Sequence, residues 1–152
     1  MTKDDVPAVL AIQSACPEIA QWSARDYTRA ADGEMTGWCM EENSAVSGFI
    51  VARRVANELE ILNFAVRPED RRRGLGKSLL DHTLAWAKNL SSERAFLEVR
   101  ISNLAAIRFY ERNGFEVSGR RPRYYTAPVE DALVLAAPVA VPEGGGPDTV
   151  KA

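Results

Sequence analysis

The sequence predicts an α/β fold of the α+β kind: a mixed, mostly antiparallel sheet flanked by helices. Three observations predict it. Two apolar strand patterns are joined by the polar turn Glu42-Asn43-Ser44, which reads as a hairpin, and a third alternating strand follows. A glycine-bearing turn at Arg71–Gly76 then leads into a helical pattern and another strand, a unit that imposes parallel pairing around that helix. A further helix and two more strands close the order.

Each element has its own local reason. Residues 4–14 read as a helix with an acidic start and Pro7 in the first turn, ended by Pro17. Ser23 is placed to cap a short helix over Ala24–Ala31, with Gly33 closing it. Met35–Glu41 and Ala45–Ala56 form the hairpin strands. In the third strand, Glu58–Val66, residues Glu58, Glu60, Leu62, Phe64 and Val66 share one parity and hence one expected face. Leu75, Leu79, Leu80, Leu84 and Ala87 recur at helical spacing up to about Leu90. Ala95–Ile101 is a strand, Asn103–Asn113 a helix stopped by Gly114, and strands from Phe115 and over Ala132–Ala136 finish the domain. The domain is expected over residues 1–137, and the Pro/Gly-rich stretch 138–152, without any period, is expected to be disordered.

Composition narrows the function. The chain has 152 residues, enough for one domain, with 46% hydrophobic and 26% charged residues. A net charge of −2 provides no global attraction for nucleic acid. Basic residues instead crowd one turn: Arg67, Arg71, Arg72, Arg73 and Lys77. Cys16 and Cys39 lack metal-ligand spacing and read as reduced thiols of a cytoplasmic protein, and no metal is expected. The single histidine, His82, lies in a helical pattern and reads as packing or surface, which disfavours a Ser/His or Cys/His hydrolase. No apolar run is long enough to cross a membrane, and no membrane partner is expected.

The turn Arg71-Arg72-Arg73-Gly74-Leu75-Gly76-Lys77 places free backbone N–H groups and the positive end of a helix dipole at one point, an anion site. A Walker A loop would need glycine where Arg71 stands, and a dinucleotide fingerprint would need a small residue where Leu79 stands. The pattern that fits is Gln/Arg-x-x-Gly-x-Gly/Ala, filled by Arg71, Gly74 and Gly76. A second motif runs from Phe96-Leu97-Glu98-Val99-Arg100-Ile101-Ser102-Asn103 to Ala105-Ala106-Ile107-Arg108-Phe109-Tyr110-Glu111-Arg112-Asn113-Gly114-Phe115. Helical spacing sets Asn103 and Tyr110 on one face, about two turns apart.

Together these motifs resemble the two halves of the acetyl-CoA site of the GNAT (GCN5-related) N-acetyltransferases. Within that family the chain resembles the ribosomal-protein-alanine N-acetyltransferases, the RimI branch, through Leu62-Asn63-Phe64-Ala65-Val66, Trp22-Ser23, and Arg123-Tyr124-Tyr125 followed by Glu130-Asp131-Ala132. The resemblance spans residues 3–137. It implies the GNAT acyl-CoA N-acyltransferase fold, with splayed central parallel strands and acetyl-CoA as cosubstrate. It implies that Phe64, Ala65 and Val66 offer backbone groups to the pantetheine and the acetyl carbonyl. Arg72, Arg73, Gly74, Leu75, Gly76 and Lys77 would cradle the pyrophosphate, and Asn103 would hold the pantetheine arm. Glu98 would be general base and Tyr110 general acid, with Tyr124, Tyr125 and Glu60 on the acceptor side.

The activity implied is transfer of acetyl from acetyl-CoA to a protein N-terminus, of an Ala-initiated ribosomal protein, by direct attack in a ternary complex. Acetylation of lysine side chains or of a small amine is the alternative, and a non-catalytic acetyl-CoA-binding module is the third. The amino acids also allow Glu98 to pair with Arg100 instead, Glu60 to serve as base, and Glu130 and Asp131 to attract an ammonium. Three departures from the branch stand out, one of them Phe64 in place of the commoner Ile, a packing change. The first strand is expected to be short or missing before the first helix, and the Thr126-Ala127-Pro128-Val129 connection beside the acceptor side is shorter. A monomer or weak homodimer is expected.

Overall fold

The computed structural model describes residues 1–139 and the backbone of Val150 and Lys151. The helices are α1 (Val6–Ser14), α2 (Ala24–Ala31), α3 (Leu75–Asn89) and α4 (Leu104–Arg112). The strands are β1 (Thr36–Glu42), β2 (Ala45–Val55), β3 (Glu58–Val66), β4 (Arg94–Arg100), β5 (Glu116–Thr126), β6 (Val129–Pro138) and β7 (Val150–Lys151). They form one sheet in the order β5-β6-β4-β3-β2-β1-β7. Among the described residues β3 and β4 are the one parallel pair. The mixed, mostly antiparallel sheet expected from the sequence is therefore what forms, with its parallel step around α3.

Helix starts follow their caps. Ser23 Oγ accepts from the Asp26 amide at 3.2 Å, and Asp26 Oδ2 accepts from the Ser23 amide at 2.9 Å, a reciprocal box at the head of α2. Asn103 stands before α4 rather than inside it, its Oδ1 accepting from the Ala106 amide at 3.3 Å. The first helix begins as a 3-10 turn over Lys3–Asp5, because Asp5 turns back to accept from the Thr2 amide at 2.7 Å.

The last strand is longer than expected. β6 runs from Val129 to Pro138, past both ends of the expected Ala132–Ala136. Its polar start does not look like a strand, but β6 lies between β4 and β5 and is laddered on both sides. Val150 and Lys151, expected in the tail, pair with Met40 and Cys39 at the sheet edge; residues 140–149 and 152 of that tail lie outside the described residues.

The alternation expected along β3 also breaks. Val51 pairs with Asn63 but Ala52 with Ile61, so Leu62 is an extra residue, a bulge. A one-residue shift exchanges the faces of a strand. Before the bulge, Leu59 and Ile61 pack in the core under α3; after it, Phe64 and Val66 do, while Ala65 joins the core under α1 and α2. Glu58, Glu60 and Leu62 thus do not share a face with Phe64 and Val66.

The two faces carry two cores. On one, Leu75, Leu79, Leu80, Leu84 and Ala87 of α3 meet Trp38, Ile50, Leu59, Leu97 and Leu135. On the other, Val9 and Ile12 of α1 and Tyr27 of α2 meet Cys39, Phe49 and Val51. His82 packs edge-on against Trp38, with ring centres 5.6 Å apart. Leu79 has no exposed surface. Its truncation in Leu79→Ala is expected to lower stability by about 2–5 kcal/mol, read as a shift in the urea midpoint at unchanged m-value.

Candidate active site

The glycine turn adopts the shape its residues allow. Arg72 has φ of 63° and Gly74 φ of 80°, both left-handed, and Gly74 is the N-cap of α3. Glycine bears that conformation without strain. The amides of residues 72–77 donate to no group among the described residues, while the Gly74 carbonyl accepts from the Ser78 amide and hydroxyl, each at 3.1 Å. Two of the basic side chains are already held: Arg73 by Glu42 at 2.8 Å and Asp70 at 3.2 Å, and Lys77 by Asp81 at 2.6 Å. What the turn presents to an anion is therefore a row of N–H groups, the helix dipole and the Arg72 side chain.

From the turn the site runs along β3 to a gap in the sheet. β3 and β4 pair only through Glu58↔Arg94 to Ile61↔Leu97, and then splay apart. The amide of Arg67 donates to the Ser47 carbonyl at 2.8 Å, which sets the phase of the β2–β3 ladder. In that phase Phe64 and Val66 turn their backbone groups away from β2 and toward the gap, and Ala65 turns its own toward Phe49. Of the three residues expected to offer backbone groups, Phe64 and Val66 are so oriented, but the Phe64 amide donates to Asn63 Oδ1 at 3.1 Å. The Val66 carbonyl takes the Arg71 Nε–H at 3.1 Å.

A cleft of about 590 Å³ opens at the gap, lined by Glu60, Asn63 and Phe64 from β3, Glu98 from β4, Asn103 at the cap of α4 and Tyr110 within it, Tyr124 and Tyr125 from β5, and the segment Pro17–Trp22. Glu98 and Tyr110 arrive from opposite faces. Glu98 alternates with the buried Leu97 and Val99, and Tyr110 belongs to the core under α3. Tyr110 is 6% exposed, and burial holds its proton on, well above the ordinary tyrosine range. Its ring packs against Phe64, Phe109 and Phe115.

Glu98 does not pair with Arg100. It meets Arg121 of β5 at 2.7 Å and accepts from the Tyr124 hydroxyl, a bond that raises Tyr124 above its ordinary value. Arg100 instead pairs with Glu130 at 3.2 Å and lies 4.2 Å over the Tyr125 ring. Burial pushes Tyr125 up to about 12, against the pull of Arg100. Glu60 is held by Arg53 at 2.7 Å. Glu130 and Asp131 are spoken for: Glu130 accepts from the Ser102 amide at 2.7 Å, and Asp131 from Arg120 and from the Arg123 amide at 2.8 Å. Asp131 braces the bulged β5, where Arg123 has φ of 52°, and Glu130 ties β6 to Arg100 of β4 and to the turn at Ser102.

Sequence reasoning passed over four contributors. Asn63 donates to the Ala20 carbonyl and to the Tyr27 hydroxyl, each at 2.9 Å, and Tyr27 in turn donates to Gln13, which holds the Trp22 backbone. This buried chain of polar groups fixes the Pro17–Trp22 wall. A polar residue inside an apolar strand, Asn63, was its available signal. Arg121 carried none, since its partner comes from a strand distant in sequence.

These geometries have counterparts in known proteins. The model of the acetyltransferase (GNAT) family matches residues 6–115. The chain belongs to the GNAT family. The [ribosomal protein bS18]-alanine N-acetyltransferase of Escherichia coli (strain K12) is 31% identical over 139 residues, 90% of this chain and 93% of that protein. An N-alpha-acetyltransferase of Sulfurisphaera tokodaii is 30% identical, over 80% of this chain and 73% of its own. Among solved structures, the E. coli ribosomal-protein-S18-alanine N-acetyltransferase superposes with a TM-score of 0.80 at 29% identity, over 97% of this chain and 94% of that one. Ard1 from Thermoplasma volcanium gives 0.82 at 28%, over 92% and 95%.

As a GNAT protein the chain is an acetyl-CoA-dependent N-acetyltransferase. The residues present fit that cosubstrate. The unbonded amides of residues 72–77 suit a pyrophosphate, and nothing lies within 4 Å of where a Cβ on Gly74 would stand, so the protein leaves the approach to them open. Among the described residues no group of His, Cys, Asp and Glu is arranged to hold a metal ion, and no helix is long and apolar enough to cross a membrane. Gly74→Val forces a branched side chain into a left-handed backbone and moves the row of amides. It is expected to weaken CoA binding at least about tenfold by calorimetry, while global stability falls by only about 1–3 kcal/mol.

Proposed function

We propose that this acetyltransferase modifies the N-terminal α-amino group of a protein, an Ala-initiated ribosomal protein of the cytoplasm. The observation that carries the reading is the meeting of Glu98 and Tyr110 at the β3–β4 gap, in a cleft walled by two tyrosines. The two relatives named above for alanine and α-amino acetylation support the choice of acceptor.

The chemistry follows from ordinary acidities. An N-terminal ammonium has a pKa near 8, so freeing its amine at neutral pH costs only about 1 kcal/mol, whereas a lysine near 10.4 costs several. Glu98, directly or through one water, takes that proton, and the amine attacks the thioester carbonyl. A new C–N bond forms as the C–S bond breaks. The outward Val66 N–H stabilises charge on the carbonyl oxygen. Tyr110 gives its proton to the leaving sulfur, and the second proton shed by the nitrogen as the amide forms passes through solvent to restore Tyr110. Arg121 is 2.7 Å from Glu98 and its side chain is 54% exposed, so an incoming ammonium can take its place without uncovering a buried charge.

Tyr124 is less suited to the acid role, because its proton is already shared with Glu98. The Tyr110 hydroxyl makes no hydrogen bond among the described residues, and its raised pKa keeps it protonated through the working range. The sign is therefore definite: ionisation of Tyr110 does not limit the rate on the basic side below about pH 10.

The test is mass spectrometry of acetyl-CoA incubated with an Ala-initiated ribosomal peptide, a lysine-bearing peptide blocked at its N-terminus, and spermidine. Transfer to the first is expected, with kcat down by about 10²–10⁴ in Glu98→Gln and about 10² or more in Tyr110→Phe. In Tyr110→Phe the basic side of the pH profile should keep its shape. Transfer to spermidine or lysine alone would overturn the reading, and so would binding without product.

A further inference from the structure

Glu60 lines the acceptor cleft, yet the acetyl transfer described above gives it no task. Its setting repeats that of Glu98. The two carboxylate side chains are 17% and 15% exposed, and each holds one guanidinium at 2.7 Å, Arg53 on Glu60 and Arg121 on Glu98. Both arginines stand about half in water, at 51% and 54%. Among the described residues Arg53 has no partner besides Glu60. The other cations nearby are held differently. Arg100 is pinned by Glu130, by the Ala127 and Pro128 carbonyls and by the Tyr125 ring. Arg71 is pinned by the Val66 carbonyl, Cys16 and Glu18. Arg53 and Arg121 are therefore the two that a ligand can displace into solvent without breaking a network.

The sheet sets the spacing of the two carboxylates. Glu60 is opposite Phe96 on the parallel strand β4, and Glu98 lies two residues further along. Two residues of rise and one strand spacing put their Cα atoms about 8 Å apart. Tyr124 adjoins both: its hydroxyl donates to Glu98 and feels the charge of Glu60, and Arg121 lies 5.9 Å over its ring. We propose that Glu60 is a second cation subsite, which selects acceptors with lysine or arginine as the second residue. The α-ammonium replaces Arg121 at Glu98, and the second side chain replaces Arg53 at Glu60. In an extended peptide the second Cα is about 5 Å from the α-nitrogen, and a lysine or arginine stem covers the rest. A peptide laid on the cleft floor displaces Arg53 whatever its sequence. A neutral second residue then leaves Glu60 covered and unpaired, and an acidic one adds repulsion. Glu60 acts on acceptor choice and not on the reacting atoms.

The inference rests on the reading that Glu98 receives a peptide's α-amino group, and the experiment separates the two. Initial rates at saturating acetyl-CoA are measured for three lysine-free peptides that begin Ala-Arg, Ala-Gln and Ala-Glu and are otherwise identical and neutral. The wild type should favour Ala-Arg over Ala-Gln by about tenfold in kcat/KM, mostly through KM, with Ala-Glu poorer still and the spread shrinking as salt is added. Glu60→Gln should bring the Arg-to-Gln ratio to about one. Glu60→Lys should reverse the order and favour Ala-Glu, a gain that a damaged fold does not produce. Arg53→Gln removes the competing guanidinium and should keep or widen the preference for Ala-Arg. A merely structural Arg53–Glu60 pair would instead make Arg53→Gln and Glu60→Gln alike, on all three peptides equally. Thermal unfolding confirms that each variant is folded. Equal kcat/KM for the three peptides, or a preference that survives in Glu60→Gln, would overturn the inference and leave α-amino acetylation standing. Transfer to none of the three peptides would overturn both.

Discussion

The site exists because β3 and β4 stop pairing. Parallel strands ordinarily continue side by side as long as their backbones keep in step, and here the step is lost after Ile61↔Leu97. The bulge at Leu62 comes next, where β3 gains one residue against β2 and bends. An unpaired row of backbone groups in the middle of a sheet is costly unless something bonds to it. β3 therefore remains laddered to β2, and β4 to β6, while the Phe64 amide is taken by Asn63 Oδ1 and the Val66 carbonyl by Arg71, which leaves the Phe64 carbonyl and the Val66 amide facing the gap. The bulge also turns Phe64 and Val66 toward α3 and lets the acceptor side keep Glu60 and Leu62. One extra residue provides the opening, the amides and the division of the cleft into a cofactor side and an acceptor side.

The charged groups of the cleft meet partners around its rim, and Arg73 at the glycine turn is paired too. Glu98 faces Arg121, Glu60 faces Arg53, Arg100 faces Glu130, and Arg73 faces Glu42 and Asp70. At the partly exposed surface such pairs add little stability, on the order of 0–1 kcal/mol each. Their effect is on position. A carboxylate tied to a half-exposed arginine keeps one rotamer, and the arginine withdraws to water at small cost when a substrate cation arrives. The pairs that brace β5 work differently: Asp131 meets a backbone amide as well as Arg120, and fixes the bulge that aims Tyr124 and Tyr125.

What was legible in the sequence is what depends on near neighbours. The glycine turn, the Ser23 and Asn103 caps and the leucine repeat of α3 are local, and their spacing alone placed them. Glu98 and Tyr110 were singled out through the resemblance of the strings around them, and the structure brings both to one cleft. The bulge at Leu62 was not, because an inserted residue leaves both halves of a strand with an acceptable alternation and only the partner strand shows the slip. The partners of Glu98 and Arg100 were misjudged for a related reason. Same-face spacing on β4 suggested that they meet, but β5 and β6 deliver Arg121 and Glu130 from far along the chain, and these closer contacts win. Glu130 and Asp131 looked like ligand-seeking acids until backbone amides at Ser102 and Arg123 claimed them.

The same geometry separates the two carboxylates and the two tyrosines that compete for the proposed roles. Glu60 pairs across to Phe96 inside the zipped part of β3 and β4, where no gap admits a thioester, whereas Glu98 follows the last pair and stands where the strands part. Tyr124 reaches Glu98 from the acceptor side, so its proton belongs to the base and not to a leaving group. Tyr110 comes through the core on the other face, buried among Phe64, Phe109 and Phe115, on the same side of the sheet as α3 and its glycine turn. An acid that serves the departing sulfur must lie on the cofactor's side of the sheet, and a base that serves the incoming amine must lie on the acceptor's. The splay is the place where two residues on opposite faces of one sheet can attend the same carbon.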